Sequence, residues 1–137
     1  METNIVEFLR EAASLQREYR VVAARARRPD EEKSFDAYVV LLAWWRGEKR
    51  LVVITLVGGK VVVAVAPPVP HPFCVSRGAD EEREARAVDE VLYEVGARYT
   101  SWCRVYYPPG FRPASLDEAV KLLTELEILD EVEQLFM

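Results

Sequence analysis

Eight side chains pose the chemical question of this sequence: Tyr38, Trp44, Arg46, Lys49, Lys60, Trp102, Arg104 and Tyr106, rings and cations on strand-like segments. Bases stacked on aromatic rings contribute about 1–3 kcal/mol each while neighbouring cations hold phosphates, a combination suited to single strands, whose base faces are exposed. Arg25 and Arg28 belong to a basic run that also holds Arg20 and Arg27; a phosphate-contacting patch and a solvated surface both account for them. Duplex recognition calls instead for a groove-entering helix with basic and amide side chains, and the helical segments here are acidic or apolar. Tryptophan, tyrosine and arginine are also enriched at subunit interfaces. The residues alone leave two readings standing, a nucleic-acid groove and a contact between subunits.

Other chemistries find less material. Cys74, Cys103 and the single histidine, His71, cannot supply a four-ligand zinc site of the usual kinds, so buried thiols or a disulfide are expected. A nucleophilic triad or dyad would need His71 beside Cys74 or Ser76. No glycine-rich phosphate loop, paired-cysteine metal motif or nucleophile elbow occurs. The order helix, strands, helix, strand is similar to that of restriction-type nucleases, but Asp36 has no acid-x-lysine partner, and Glu48-Lys49 sits in a turn. A non-enzymatic protein without cofactor or metal is the expectation.

The elements that must position these residues centre on residues 37–66, AYVVLLAWWRGEKRLVVITLVGGKVVVAVA, which reads as a three-stranded meander. Gly58-Gly59 between β-branched runs signals a two-residue hairpin that sets Val57 opposite Lys60, Thr55 opposite Val62 and Val53 opposite Ala64. With Gly47-Glu48 as the first loop, Arg46 opposes Lys49, Trp44 opposes Leu51 and Leu42 opposes Val53. Period two then puts Val39, Leu41, Ala43, Val52, Ile54, Leu56, Val61, Val63 and Val65 on one face. Tyr38, Trp44, Arg46, Lys49 and Lys60 share the other with Val40, Leu42, Leu51, Val53, Thr55 and Val62. Both faces are so apolar that both need cover.

Flanking segments supply that cover. Thr3 caps a helix whose apolar positions Ile5, Phe8, Ala12, Leu15, Tyr19, Val22 and Ala26 step by three and four; Tyr19 to Arg27, with its two adjacent valines, reads equally as a strand. Residues 67–72 form a proline-rich surface connection. Asp80 caps a middle helix with the stripe Ala85, Val88, Leu92 and Val95, its acids on a wet outer side, and Gly96 stops it. Tyr99 to Tyr107 alternates as a fourth strand with Trp102, Arg104 and Tyr106 on one side. Ser115 and Glu118 form a capping box opening the last helix. Its stripes, Leu116, Val120 and Leu123 beside Leu122, Leu126, Leu129, Val132 and Phe136, exceed what one helix can bury on one sheet, so residues 115–137 are expected to contribute to oligomerisation. The fold class read from this order is α+β, an antiparallel meander of about four strands with three helices, in a single domain over residues 1–137.

Charge is unevenly spread. The net charge is −5, yet from Pro113 onward one base faces seven acids and from Asp80 to Glu94 two bases face seven acids, leaving 15 bases against 9 acids in the remainder. The sheet is basic and two helices are acidic. Few amides, with Asn4, Gln16 and Gln134 the only ones, and abundant charges are a hyperthermophile's bias. No signal-like N-terminus or membrane-spanning run is present, so a cytoplasmic protein is expected.

A helix leading to the basic Arg25 to Arg28 segment, the long meander, the aromatic strand SWCRVYYPPGF and a leucine-rich tail together resemble the ThermoDBP-related single-stranded DNA-binding proteins of hyperthermophilic archaea. The resemblance spans most of the chain and is one of architecture and composition. It implies a non-enzymatic oligomer that holds single-stranded DNA in an aromatic and basic cleft between subunits; the partners expected for this chain are single-stranded DNA, or RNA, and further copies of itself as a dimer or tetramer. The leading expectation is therefore non-sequence-specific single-stranded DNA binding, and the alternative is a non-catalytic interaction or assembly module whose aromatic face is a subunit contact.

Overall fold

The computed structural model describes residues 4–45, 48–69, 73–76, 82–98, 101–108, 111, 113–126 and 129. Asn4 opens the first helix, α1 (Ile5–Leu15): its Oδ1 accepts the Glu7 N–H at 2.8 Å. The cap expected at Thr3 lies outside the described residues. The helix stops after Leu15, the N–H groups of residues 16–19 still bond back to residues 13–15, and from Arg20 the backbone pairs with a neighbouring strand as β1 (Arg20–Ala26). Tyr19 still bonds back to Leu15 and packs on the core beside the α1 seam, but Val22 and Ala26 lie in the strand and do not continue it; the adjacent β-branched valines were the better guide there.

Then follow β2 (Ala37–Trp45), β3 (Glu48–Val57), β4 (Lys60–Ala66), β5 (Cys74–Ser76), α2 (Glu82–Glu94), β6 (Cys103–Val105) and α3 (Leu116–Glu125). The class is α+β. The strands form one antiparallel sheet of six in the order β1-β2-β3-β4-β6-β5, against about four expected. The two additions are β1 and the three-residue β5, too short to carry a periodic signal.

The β3–β4 hairpin has the expected register, with Val57 opposite Lys60 and Thr55 opposite Val62, and both turn glycines have positive φ, 57° and 82°. Asp36, the acid considered for nuclease chemistry, instead accepts the Gly58 N–H at 2.8 Å and braces this turn. The first hairpin is slipped by two residues. Trp45 opposes Glu48 and Trp44 opposes Lys49, so its connection is residues 46–47, outside the described set, rather than Gly47-Glu48. A slip of two preserves parity, and the two faces sort as expected.

On the aliphatic face, Val39, Leu41, Val52, Ile54, Leu56, Val63 and Val65 pack with Phe8, Ala12 and Leu15 of α1 and with Leu116, Ala119, Val120 and Leu123 of α3. Glu11 ties the two helices together by accepting the Leu116 N–H at 2.9 Å, and burial raises its pKa despite that bond. Ser115 caps α3 through the Glu118 N–H at 3.2 Å, as expected. The supposed surplus of leucines is partly consumed at home, since Leu129 is buried in this core and Leu126 packs against it. Val132 and Phe136 lie outside the described residues.

Cys74 and Cys103 form a disulfide linking β5 to β6. With 29 residues of separation it closes the segment that carries α2. Such bonds belong to oxidising compartments and to the cell interior of hyperthermophiles. Among the described residues no helix is long and apolar enough to cross a membrane. From the length of the closed loop, replacing both cysteines by alanine should lower unfolding free energy by about 3–4 kcal/mol. Denaturant melts with and without reductant check this: the reductant should destabilise the parent protein and leave the double variant unmoved.

Candidate functional site

The second face of the sheet carries Tyr38, Val40, Val53, Val62 and Ala64, and the chain's own α2 covers it. Ala85, Ala87, Val88, Val91 and Leu92 are the buried residues of that helix, small enough to bring its backbone close to β3. Gly96, at φ 71°, sits where the chain leaves the helix. The acids flanking this stripe are not simply a wet outer side. They reach down to the rim of the sheet and take its cations and ring donors one by one.

Arg25 of β1 is the centre of this set. Its Nη1 and Nη2 donate to the Glu31 carboxylate at 2.7 and 3.0 Å, and its Nε donates to Glu94 Oε1 at 2.5 Å. The guanidinium also lies over the rings of Phe35 and Tyr38, 5.3 and 5.8 Å from their centroids. Tyr38, 3% exposed, donates its hydroxyl to the same Glu94 oxygen at 2.9 Å. Lys33 stands 3.9 Å from Glu94, and Glu90 accepts the Ser34 N–H at 2.7 Å, so the loop before β2 is tied to α2 as well.

The bond from Arg25 holds Glu31 down at about pH 2 and also depresses Glu94, while burial raises Tyr38 and the carboxylates raise Arg25. On the same face, toward the opposite edge of the sheet, Trp102, 6% exposed, donates its indole N–H to Asp89 at 2.9 Å. Arg104 donates to Glu84 and lies over the Tyr106 ring at 5.0 Å.

The expected set of residues is thus not one open surface. Tyr38, Trp102, Arg104 and Arg25 are committed to α2. Lys49 lies 5.9 Å from the Trp44 ring near the start of β3, whereas Lys60 is exposed opposite Val57 at its end, roughly 26 Å away at the usual strand rise. Arg28 is largely exposed and pairs with Glu31 at 3.3 Å. Tyr106 keeps 40% of its surface, and Arg46 lies outside the described residues. Sequence reasoning missed the partners, Glu31, Glu84, Asp89 and Glu94. The signal was the split of charge between a basic sheet and an acidic helix, which is the pattern of two surfaces that meet.

Among the described residues no group of three or more histidines, cysteines or acids could hold a metal ion. Against family models, curated proteins and solved structures, the chain has no match.

Two outcomes follow from this geometry. Trp102→Ala removes a buried ring together with the indole N–H that Asp89 accepts, and should cost about 3–5 kcal/mol in chemical denaturation. Glu31 and Glu94 have folded pKa values below the ordinary 4.5, so their contribution is complete above that value and is lost as pH falls toward about 2. Thermal melts between pH 6 and 2 should show this acid loss, and Arg25→Met, less stable at neutral pH, should show a flatter acid limb.

Proposed function

We propose that the chain is a non-catalytic protein-interaction and assembly module. The observation that carries this reading is the engagement of Arg25, Tyr38, Trp102 and Arg104 by carboxylates of the chain itself, which leaves neither the rings nor the charges of that set for bases and phosphates. What the fold offers outward instead is β1, a seven-residue strand at the edge of the sheet with Val22 and Ala24 exposed. An open edge of this kind is a template for strand addition.

Single-stranded DNA binding, in keeping with the resemblance to the archaeal proteins, is the second reading. Tyr106 and Phe111, each about two-fifths exposed, and the Lys49–Trp44 pair favour it, since these rings remain within reach of solvent. Fluorescence titration with oligonucleotides at two salt concentrations separates the two readings. The assembly reading expects no saturable, salt-sensitive change. Saturation that weakens with salt, and that Tyr106→Ala abolishes without lowering the melting temperature, would overturn it in favour of the second.

A further inference from the structure

We propose that the Cys74–Cys103 disulfide is a redox-controlled latch on the β5 edge of the sheet. A small dithiol opens it by attack on the Cys74 sulfur, and β5 then leaves β6 while the rest of the fold stays in place, a step beyond the assembly reading that involves no partner.

The hold of β5 on the sheet is short. Its three residues pair only with β6, Cys74 opposite Val105, Val75 opposite Arg104 and Ser76 opposite Cys103. The Tyr106 N–H donates to the Phe73 carbonyl, which fixes the alternation. The peptide groups of Tyr106 and Arg104 face β5, and those of Val105 and Cys103 face β4. Two hydrogen-bonded positions therefore tie the strand down, Phe73 with Tyr106 and Val75 with Arg104. Fixing residues 73–76 in one backbone conformation costs at least as much as two such positions return. The covalent bond between the strands thus decides whether β5 stays.

The neighbours of β5 have other holds. Ahead of it Val69, 3% exposed, is buried in the aliphatic core. Behind it α2 is docked through Ala85, Val88, Val91 and Leu92, and Glu94 pairs with Arg25. Strand β6 keeps its pairing to β4, Arg104 opposite Ala64 and Cys103 opposite Val65. Opening the disulfide frees β5 between two anchored points and makes β6 the edge of the sheet.

Access selects the sulfur that reacts. Cys103 is 2% exposed, whereas Cys74 is half-buried. A thiolate of the dithiol attacks Cys74 Sγ, the S–S bond breaks, and Cys103 leaves as a thiolate that takes up a proton. The second thiolate of the reductant attacks the reductant's own sulfur in this mixed disulfide, closes a disulfide within the reductant and expels Cys74, which is protonated in turn. Two electrons pass from the dithiol to the cystine. Cys103 departs into apolar surroundings that disfavour a thiolate, which slows the first step.

Two measurements on the folded chain test this. Glutathione, a monothiol that passes through the same mixed disulfide, should after acid quenching leave its adduct on Cys74, read by peptide mass spectrometry. Hydrogen exchange followed by NMR should show the Arg104 and Tyr106 amides accelerating by at least about tenfold when dithiothreitol is added. The Cys103 and Val105 amides between them, turned toward β4, should stay protected, as should those of Ile54 and Val63 in the core. The double variant Cys74→Ala, Cys103→Ala should show the reduced pattern with or without dithiothreitol. Loss of protection at all four β6 amides together with those of β3 would overturn the proposal, since the bond would then staple the whole fold. Arg104 and Tyr106 amides indifferent to reduction overturn it as well, as does an adduct on Cys103 or none at all. No partner enters either measurement, so each of these failures leaves the assembly reading standing.

Discussion

A sheet with no wet face is the constraint from which the rest of this structure follows. Strands β2, β3 and β4 are buried at nearly every position, so the chain must supply two covers. The helices α1 and α3 make one, joined across their line of contact by Glu11. Helix α2 makes the other alone. A single helix across the second face must lie close, which explains its small stripe of Ala85, Ala87, Val88 and Val91. Lying close, it brings Glu84, Asp89, Glu90 and Glu94 to the sheet's rim. The ion pairs of Arg25, Arg104 and their carboxylates are thus the electrostatic consequence of an apolar demand.

That order of cause decides how the ring and cation set should be understood. For bases and phosphates to reach Trp102 or Tyr38, α2 would have to leave. Its Val88, Val91 and Leu92 each contribute roughly 1.5–3 kcal/mol by burial, so its departure costs on the order of 5–9 kcal/mol before the uncovered face of the sheet is counted. A domain of this size is stable by only about 5–15 kcal/mol in all. Phosphate contacts would also have to outcompete Glu94 and Glu84, which are tethered to the same chain. Helix α2 is therefore part of the core and not a lid. The charge of α2 is consistent with this, for its Glu84 and Glu94 pair with cations of the sheet.

Much of this was legible in the sequence. Period two sorted the faces correctly even though the first hairpin was misplaced, because a slip of two residues changes partners and leaves parity alone. Gly58-Gly59 and the Ser115 cap marked their sites outright, since each residue type there answers a specific backbone requirement, although Glu118 reaches back to the Ala114 N–H and not to that of Ser115. Three things were not legible. Steps of three and four through Tyr19, Val22 and Ala26 suit a helix and a strand edge alike, and only the pairing of β1 with β2 decides. A strand of three residues, β5, has no period to detect. The placement of α2 was hidden for a deeper reason: an amphipathic helix declares which of its own sides is buried, but not which side of the sheet it buries. That one missing bit turned a closed interior face into a candidate groove.

The two edges of the sheet are handled differently, and the difference bears on what the molecule can join. At β5 a disulfide pins three residues to their neighbour, and so short a strand offers little backbone to a visitor. At β1 protection is partial. The bulge at Val22 disturbs the ladder, and Arg25 spends one donor on the Ala26 carbonyl while its other donors hold the acidic partners. Both devices discourage indefinite strand addition. Neither places a charge at Ala23 or Ala24, the centre of the edge, where a single lysine would have blocked pairing outright. An edge guarded in this way and neutral at its middle leaves only a short stretch of backbone open to a further strand.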